Sequence, residues 1–185
     1  MDTSFAPLIS FLGLGTLLLD IGIVIALIVF FAARLSRKKS IFTRVSEFLY
    51  KNSLLLAFLI AGSATLSSLF LSEIALFPPC ELCWYQRIFM YPQVVILGVG
   101  SFLNDKMAKL YALVLSIIGF VIALYHILLQ FFPGILPCSD EIANCTLKQF
   151  EYFGYITIPV MSASAFAAII VILIFGVGAR RKISS

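Results

Sequence analysis

Pro78-Pro79-Cys80-Glu81-Leu82-Cys83-Trp84-Tyr85-Gln86-Arg87 stands at the junction of two strongly apolar stretches. Two prolines end the preceding structure. A helix restarting behind them carries Cys83 in its first turn. Free backbone N–H groups and the positive end of the helix dipole favour a thiolate there. Arg87 follows four residues later, so it shares the face of Cys83 and adds a fixed positive charge. A disulfide across two intervening residues is a poor staple, because closing so short a loop removes little unfolded-state entropy. The pattern reads as a redox pair.

The chain around it is that of an integral membrane protein. Of its 185 residues 62% are hydrophobic and 12% charged, and the mean hydropathy is +1.09. These values lie far outside soluble globular norms. Five apolar stretches come near the ~20 residues a bilayer requires. They cover 8–33, 53–76, 84–103, 109–131 and 156–178. The third contains Pro92, which predicts a kink or local widening. The first is too long for a cleavable signal peptide, lacks a basic lead-in and is followed, not preceded, by its positive charges. The net charge of +4 does not point to nucleic acid, because the basic residues sit in short segments between spans.

Those basic residues set an expected orientation. Eleven of the 13 Lys and Arg fall in 34–51, in 104–109 and after span five; Arg87 and Lys148 are the exceptions. The positive-inside rule puts these segments in the cytoplasm, the N-terminus outside and the C-terminus inside. Both cysteine pairs, Cys80/Cys83 and Cys138/Cys145, then face outward, where disulfides persist. Four cysteines allow three pairings, so exchange between pairings is itself a candidate mechanism.

The second outer segment, about 132–155, opens Phe132-Pro-Gly-Ile-Leu-Pro-Cys138 and has six polar-leaning residues before Cys145. Leu147, Phe150 and Phe153 recur at helical spacing, which fits a short helix on the membrane surface or a loop whose aromatics touch headgroups. Each feature also has a plainer reading. The two cysteine pairs could be static staples or, together, a zinc site. Arg87 could be a snorkelling side chain and His126 an ordinary interfacial or bundle histidine. Asp20, midway along span one, calls for a polar partner.

Cys80-Glu-Leu-Cys-Trp-Tyr-Gln-Arg87 at the start of a span resembles the signature of the DsbB-type thiol oxidases. Leu136-Pro-Cys138, six residues, Cys145 and then Tyr155-Ile-Thr-Ile-Pro-Val resemble the short-loop, BdbC-like disulfide formation proteins of that family. The Cys-x-x-Cys precedes the loop pair, the reverse of the order in vitamin K epoxide reductases. The resemblance covers roughly 50–180 and implies an all-α membrane fold: a four-helix transmembrane bundle, here with one additional N-terminal transmembrane helix. It divides the chain into an extra helix and basic linker (1–49), a catalytic bundle (50–180) and a cytoplasmic tail (181–185).

The resemblance implies that Cys80 and Cys83 are the quinone-proximal pair, Cys138 the cysteine attacked by a partner, and Cys145 its mate. It implies that Arg87 contacts a quinone (ubiquinone or menaquinone) and that His126 lies near the quinone ring. Gln86 stands where some members carry an acidic residue. The expected partners are an extracytoplasmic thioredoxin-like, DsbA-like protein and membrane lipid; no nucleic acid and no metal are expected. The expected activity is re-oxidation of that partner with electrons passed to the quinone. A reductase running in the opposite direction and a non-enzymatic membrane scaffold with two static disulfides are the rivals. The absence of cytoplasmic cysteines counts against the reductase.

Overall fold

The computed structural model describes residues 6–35, 40–132, 145 and 148–183. Cys138 lies outside them. Five helices follow in order: α1 (Ala6–Leu35), α2 (Ser40–Leu69), α3 (Glu81–Leu103), α4 (Lys106–Phe131) and α5 (Ile158–Ile183). Phe70–Ile74 continue α2 as a π-helical turn. Among the described residues, four stretches are long and apolar enough to cross a membrane: Pro7–Val29, Lys51–Ile74, Met107–Phe131 and Ile158–Phe175. The 23 residues of α3 span about 35 Å at 1.5 Å each, enough for a hydrocarbon core of about 30 Å. It is less apolar because it carries Gln86, Arg87 and Gln93. The chain is an all-α, multi-pass membrane protein.

α3 hides its amides inside. Gln86 and Gln93 are buried. Gln93 Nε2 donates to the Phe89 carbonyl (2.9 Å) and its Oε1 accepts from Ser116 Oγ of α4 (2.9 Å). A buried polar group in an apolar bundle needs such partners. The helix runs unbroken through Pro92. Asn104, in the left-handed region (φ 52°), and Asp105, which caps α4 by accepting from the Met107 N–H, turn the chain directly into α4.

α2, α3, α4 and α5 close a ring in which each packs against two neighbours. Small residues at the seam, including Ala57, Ala61, Ala112 and Ala123, let these helices approach around Leu97, Phe166 and Ile169. At Gly119 an added Cβ would lie 2.3 Å from the Phe166 ring, so only glycine fits. α1 stands outside the ring, packed mainly on α5 and touching α2. Phe11, Leu14, Leu18 and Ile21 on it remain exposed, as a lipid-facing surface should.

The stretch after Cys145 is not a surface helix in its described part, 148–157. Tyr152 and Ile156 form an isolated antiparallel bridge around a turn in which Phe153 (φ 52°) and Gly154 (φ 77°) are left-handed. Phe150 turns inward against Ile9 and Leu71, and Tyr152 packs on that cluster. Burial of these rings overrides the helical spacing.

Candidate redox site

The π-helical turn ends in an irregular segment through Pro78-Pro79, and Cys80 is the N-cap of α3 with extended backbone (φ −73°, ψ 171°). The Trp84 N–H donates to its carbonyl, the first bond of the helix. Cys83 therefore sits in the first turn, as its spacing predicts. Both cysteines are free thiols, their sulfurs 3.3 Å apart. Cys145 is disulfide-bonded.

Cys80, Cys145 and Leu129 form one buried cluster. His126, near the end of α4, reaches into it and is 2% exposed. Its Nε2 lies 3.2 Å from the Cys145 carbonyl and 3.7 Å from Cys80 Sγ. A carbonyl only accepts, so Nε2 carries the proton. Nδ1 is then an acceptor, matched by Gln86 Nε2 at 3.1 Å. Gln86 thus fixes the tautomer that aims an N–H at the Cys145 backbone and the Cys80 sulfur.

Either thiol can carry the proton shared between Cys80 and Cys83. The His126 N–H beside Cys80 favours the thiolate on Cys80. The Cys80 pKa is held well below the usual thiol range, first by the hydrogen bond with Cys83 and then by His126, against the opposing effect of burial. This differs from a thiolate at Cys83, the expectation from helix-dipole position and Arg87 alone.

Cys83, packed against the same cluster, also lines a cavity of about 320 Å³ between α1, α2, α3 and α5, which Cys80 does not. Arg87, Gln86, Tyr91 and Gln149 are among its polar lining, with a row of hydroxyls from Ser63, Ser67, Ser68 and Ser72, and Leu12, Ile60, Met90 and Met161 are among its apolar walls. Arg87 is anchored at the end of α2: Nε donates to Ser68 Oγ (3.0 Å) and Nη2 to the Ser68 carbonyl (3.2 Å). Tyr91 Oη donates to the same hydroxyl (3.3 Å), and the guanidinium lies 5.2 Å from the Trp84 ring centre. Two of the five guanidinium N–H groups are thereby used. Arg87 is also part of the cavity lining. Gln149 donates to the Pro78 carbonyl (2.9 Å), and its Oε1 is buried without a partner among the described residues.

Four of the six residues singled out in the sequence thus come together: Cys80, Cys83, Cys145 and His126. Arg87 shares the cavity with Cys83. Cys138 lies outside the described residues. His126 borders Cys80 and Cys145 and is not among the cavity-lining residues. Gln86 and Gln149 border the site at positions that sequence spacing did not assign; their one signal was being amides beside the two cysteine segments. Asp20 has its polar partner, accepting from Tyr155 Oη at 3.2 Å.

Cys80, Cys83 and His126 bring two sulfurs and a ring nitrogen within 4.8 Å, a donor set that a soft divalent ion accepts. Nε2, however, spends its proton on the Cys145 carbonyl, and Nδ1 accepts from Gln86. In this tautomer the nitrogen facing Cys80 is a donor, and the ring's one lone pair, on Nδ1, faces Gln86.

A sequence model described as "Disulfide bond formation protein DsbB" matches residues 50–176. The chain is 41% identical over 129 residues to the "Probable disulfide formation protein C 2" of Bacillus cereus, covering 69% of this chain and 92% of that one. It is 45% identical over 120 residues to the "Disulfide bond formation protein C" of Bacillus subtilis (63% and 86%). With a "Probable disulfide formation protein" of Chlamydia caviae it shares 42% over 136 residues (74% and 98%). No solved structure matches. By the family match the chain, with a buried Cys80, a half-buried Cys83 and a disulfide-bonded Cys145 held in one membrane bundle, belongs to the DsbB family of membrane disulfide bond formation proteins.

Proposed function

We propose that the protein re-oxidises an extracytoplasmic thioredoxin-like, DsbA-like dithiol protein and passes the electrons to a membrane quinone. One observation carries this reading: only one cysteine of the Cys-x-x-Cys lines the cavity. Cys80 is buried with Cys145, and Cys83, packed beside them, borders the cavity.

A partner thiolate attacks Cys138 of the Cys138–Cys145 disulfide, and Cys145 leaves as a thiolate. The second partner thiol attacks the mixed disulfide, so the partner departs oxidised and Cys138 is left as a thiol. Cys145 then attacks Cys80 of a Cys80–Cys83 disulfide, releasing Cys83 as a thiolate. Cys138 attacks Cys145, which restores the loop disulfide and releases Cys80. The partner's two electrons now reside in the Cys80/Cys83 dithiol, with Cys145 disulfide-bonded, the arrangement of the described structure. Direction is set by relative potentials and no metal is required.

A quinone supplies a two-electron, two-proton acceptor. The cavity suits such a molecule: it is mostly apolar, with Arg87, Gln86 and Gln149 at one end beside Cys83. Arg87 would favour negative charge developing at an acceptor oxygen, and the unpartnered Gln149 Oε1 can accept from a hydroxyl. His126 acts on the opposite side, holding the Cys80 thiolate and the Cys145 backbone together. The cysteine-bearing end faces outward, by the distribution of Lys and Arg.

Purified protein given a reduced thioredoxin-like donor and a soluble quinone should consume donor thiols and quinone in a two-to-one ratio. Donor oxidation without quinone consumption would discard the acceptor reading. Single cysteines at Ser40 and Ser139 in a cysteine-free background test orientation: an impermeant thiol reagent should label position 139 and spare 40.

A further inference from the structure

The family match begins at residue 50, so α1 lies outside it. α1 is nevertheless built into the site. Ser10 Oγ and Tyr152 Oη lie 2.7 Å apart, and Tyr155 Oη donates to Asp20. Gly13 lies flat against the Tyr152 side chain, where an added Cβ would make contact at 3.4 Å. Ile9 and Leu12 pack into the cluster of Leu71, Phe77 and Phe150. Docked in this way, α1 contributes Phe11, Leu12, Gly15, Thr16 and Leu19 to the cavity that Cys83 and Arg87 border. The Thr16 hydroxyl is turned onto the Leu12 carbonyl of its own helix (3.0 Å), which leaves this wall apolar.

We propose that α1 is a specificity-determining wall of the acceptor site. It closes the cavity on the side between α2 and α5 and sets the room available to the body of a lipid-soluble, quinone-class acceptor whose polar end lies at Cys83 and Arg87. This rests on the quinone reading above. Gly15 is the controlling position. A Cβ there meets nothing within 4 Å, although the residue lines the cavity, so a larger side chain enters free space without displacing a neighbour. Gly22, one helical stretch further along α1, is equally open and does not line the cavity.

The test uses the full chain with Gly15→Ala, Gly15→Leu and Gly15→Phe, and Gly22→Phe as the control. Replacing glycine within a helix favours the helix, so folding is not the obstacle. The readouts are KM for a decyl-tailed benzoquinone, KM for the thiol donor, and quinone binding by quenching of Trp84, the single tryptophan. KM and the binding constant for quinone should rise together with side-chain size, reaching about tenfold or more for Gly15→Phe. KM for the donor should stay put, and Gly22→Phe should match wild type. Equal quinone values for Gly15→Phe and wild type would overturn the role of α1 alone. A wild-type protein that neither reduces the quinone nor shows quenching would overturn the acceptor reading, and this inference with it.

Discussion

The two sides of the Cys80/Cys83 pair are built from different materials. Behind Cys80 the packing is closed: His126, the Cys145 backbone and Gln86, whose side chain also borders the cavity, are buried and joined through the two ring nitrogens. In front of Cys83 there is space, lined mainly by apolar side chains with a guanidinium at one end. A closed, satisfied network fixes geometry for attack between two protein sulfurs, where no small molecule has to enter. An open cavity with a spare cation admits a ligand and stabilises charge on it. On the proposed function, this difference lets one pair serve two exchanges, because only Cys83 borders the cavity.

The largest expected effect comes from removing one side's chemistry outright. Cys83→Ser should abolish quinone reduction and still allow the Cys138–Cys145 disulfide to be consumed once by donor. Cys138→Ser should block donor oxidation and leave Cys80/Cys83 in equilibrium with quinone. Normal steady-state turnover in Cys138→Ser would show that donors bypass the loop pair.

Next comes Arg87, on the open side only. Arg87→Met should lose about 2.7–4 kcal/mol of transition-state stabilisation, roughly a hundred- to thousandfold in quinone-dependent rate. Arg87→Lys keeps the charge but not the fork held by Ser68, so it should retain measurable turnover with weaker quinone affinity. Turnover against quinone concentration separates the two. Near-normal kinetics in Arg87→Met would make it a structural tie to α2.

His126 sharpens the contrast from the closed side. His126→Ala should slow transfer between the pairs by about a hundredfold, the low end for a positioned proton donor, and leave KM for quinone unchanged. Because the Cys80 pKa is lowered in the fold, its thiolate stabilises the reduced protein above the usual thiol range. That contribution is lost as pH falls through the lowered value. His126→Ala should move the midpoint of thiolate absorbance at 240 nm upward. A raised quinone KM with an unmoved midpoint would place His126 on the acceptor side instead.

The smallest effect belongs to the polar ties of α1. Asp20→Asn and Tyr155→Phe each disturb one exposed hydrogen bond, worth about 1 kcal/mol or less. Thermal unfolding in detergent should register a small decrease, with redox kinetics nearly intact.

Much of this architecture was legible in the sequence because it depends on local rules. Long apolar runs gave the helices. Pro78-Pro79 placed Cys83 in a first turn, and the four-residue step to Arg87 put both on one cavity. What stayed hidden depends on rotation and packing. No spacing rule says which face of α4 His126 occupies, 46 residues from Cys80, or that Gln86 would fix its tautomer. Phe150 and Phe153 had helical spacing, yet burial of Phe150 and a left-handed turn at Phe153 prevailed. Apolar composition showed α1 as a span and could not show that Gly15 and Leu12 wall the cavity.

The central claim is that Cys80, not Cys83, exchanges with the loop pair. The direct test is a pair of double variants under mild oxidation, followed by mass spectrometry of disulfide-linked peptides. Cys83→Ser/Cys138→Ser leaves Cys80 and Cys145, which share a buried cluster and should yield a linked peptide in high amount. Cys80→Ser/Cys138→Ser leaves Cys83 and Cys145 and should yield little. Equal yields, or a preference for the Cys83–Cys145 link, would contradict the assignment of the two sulfurs.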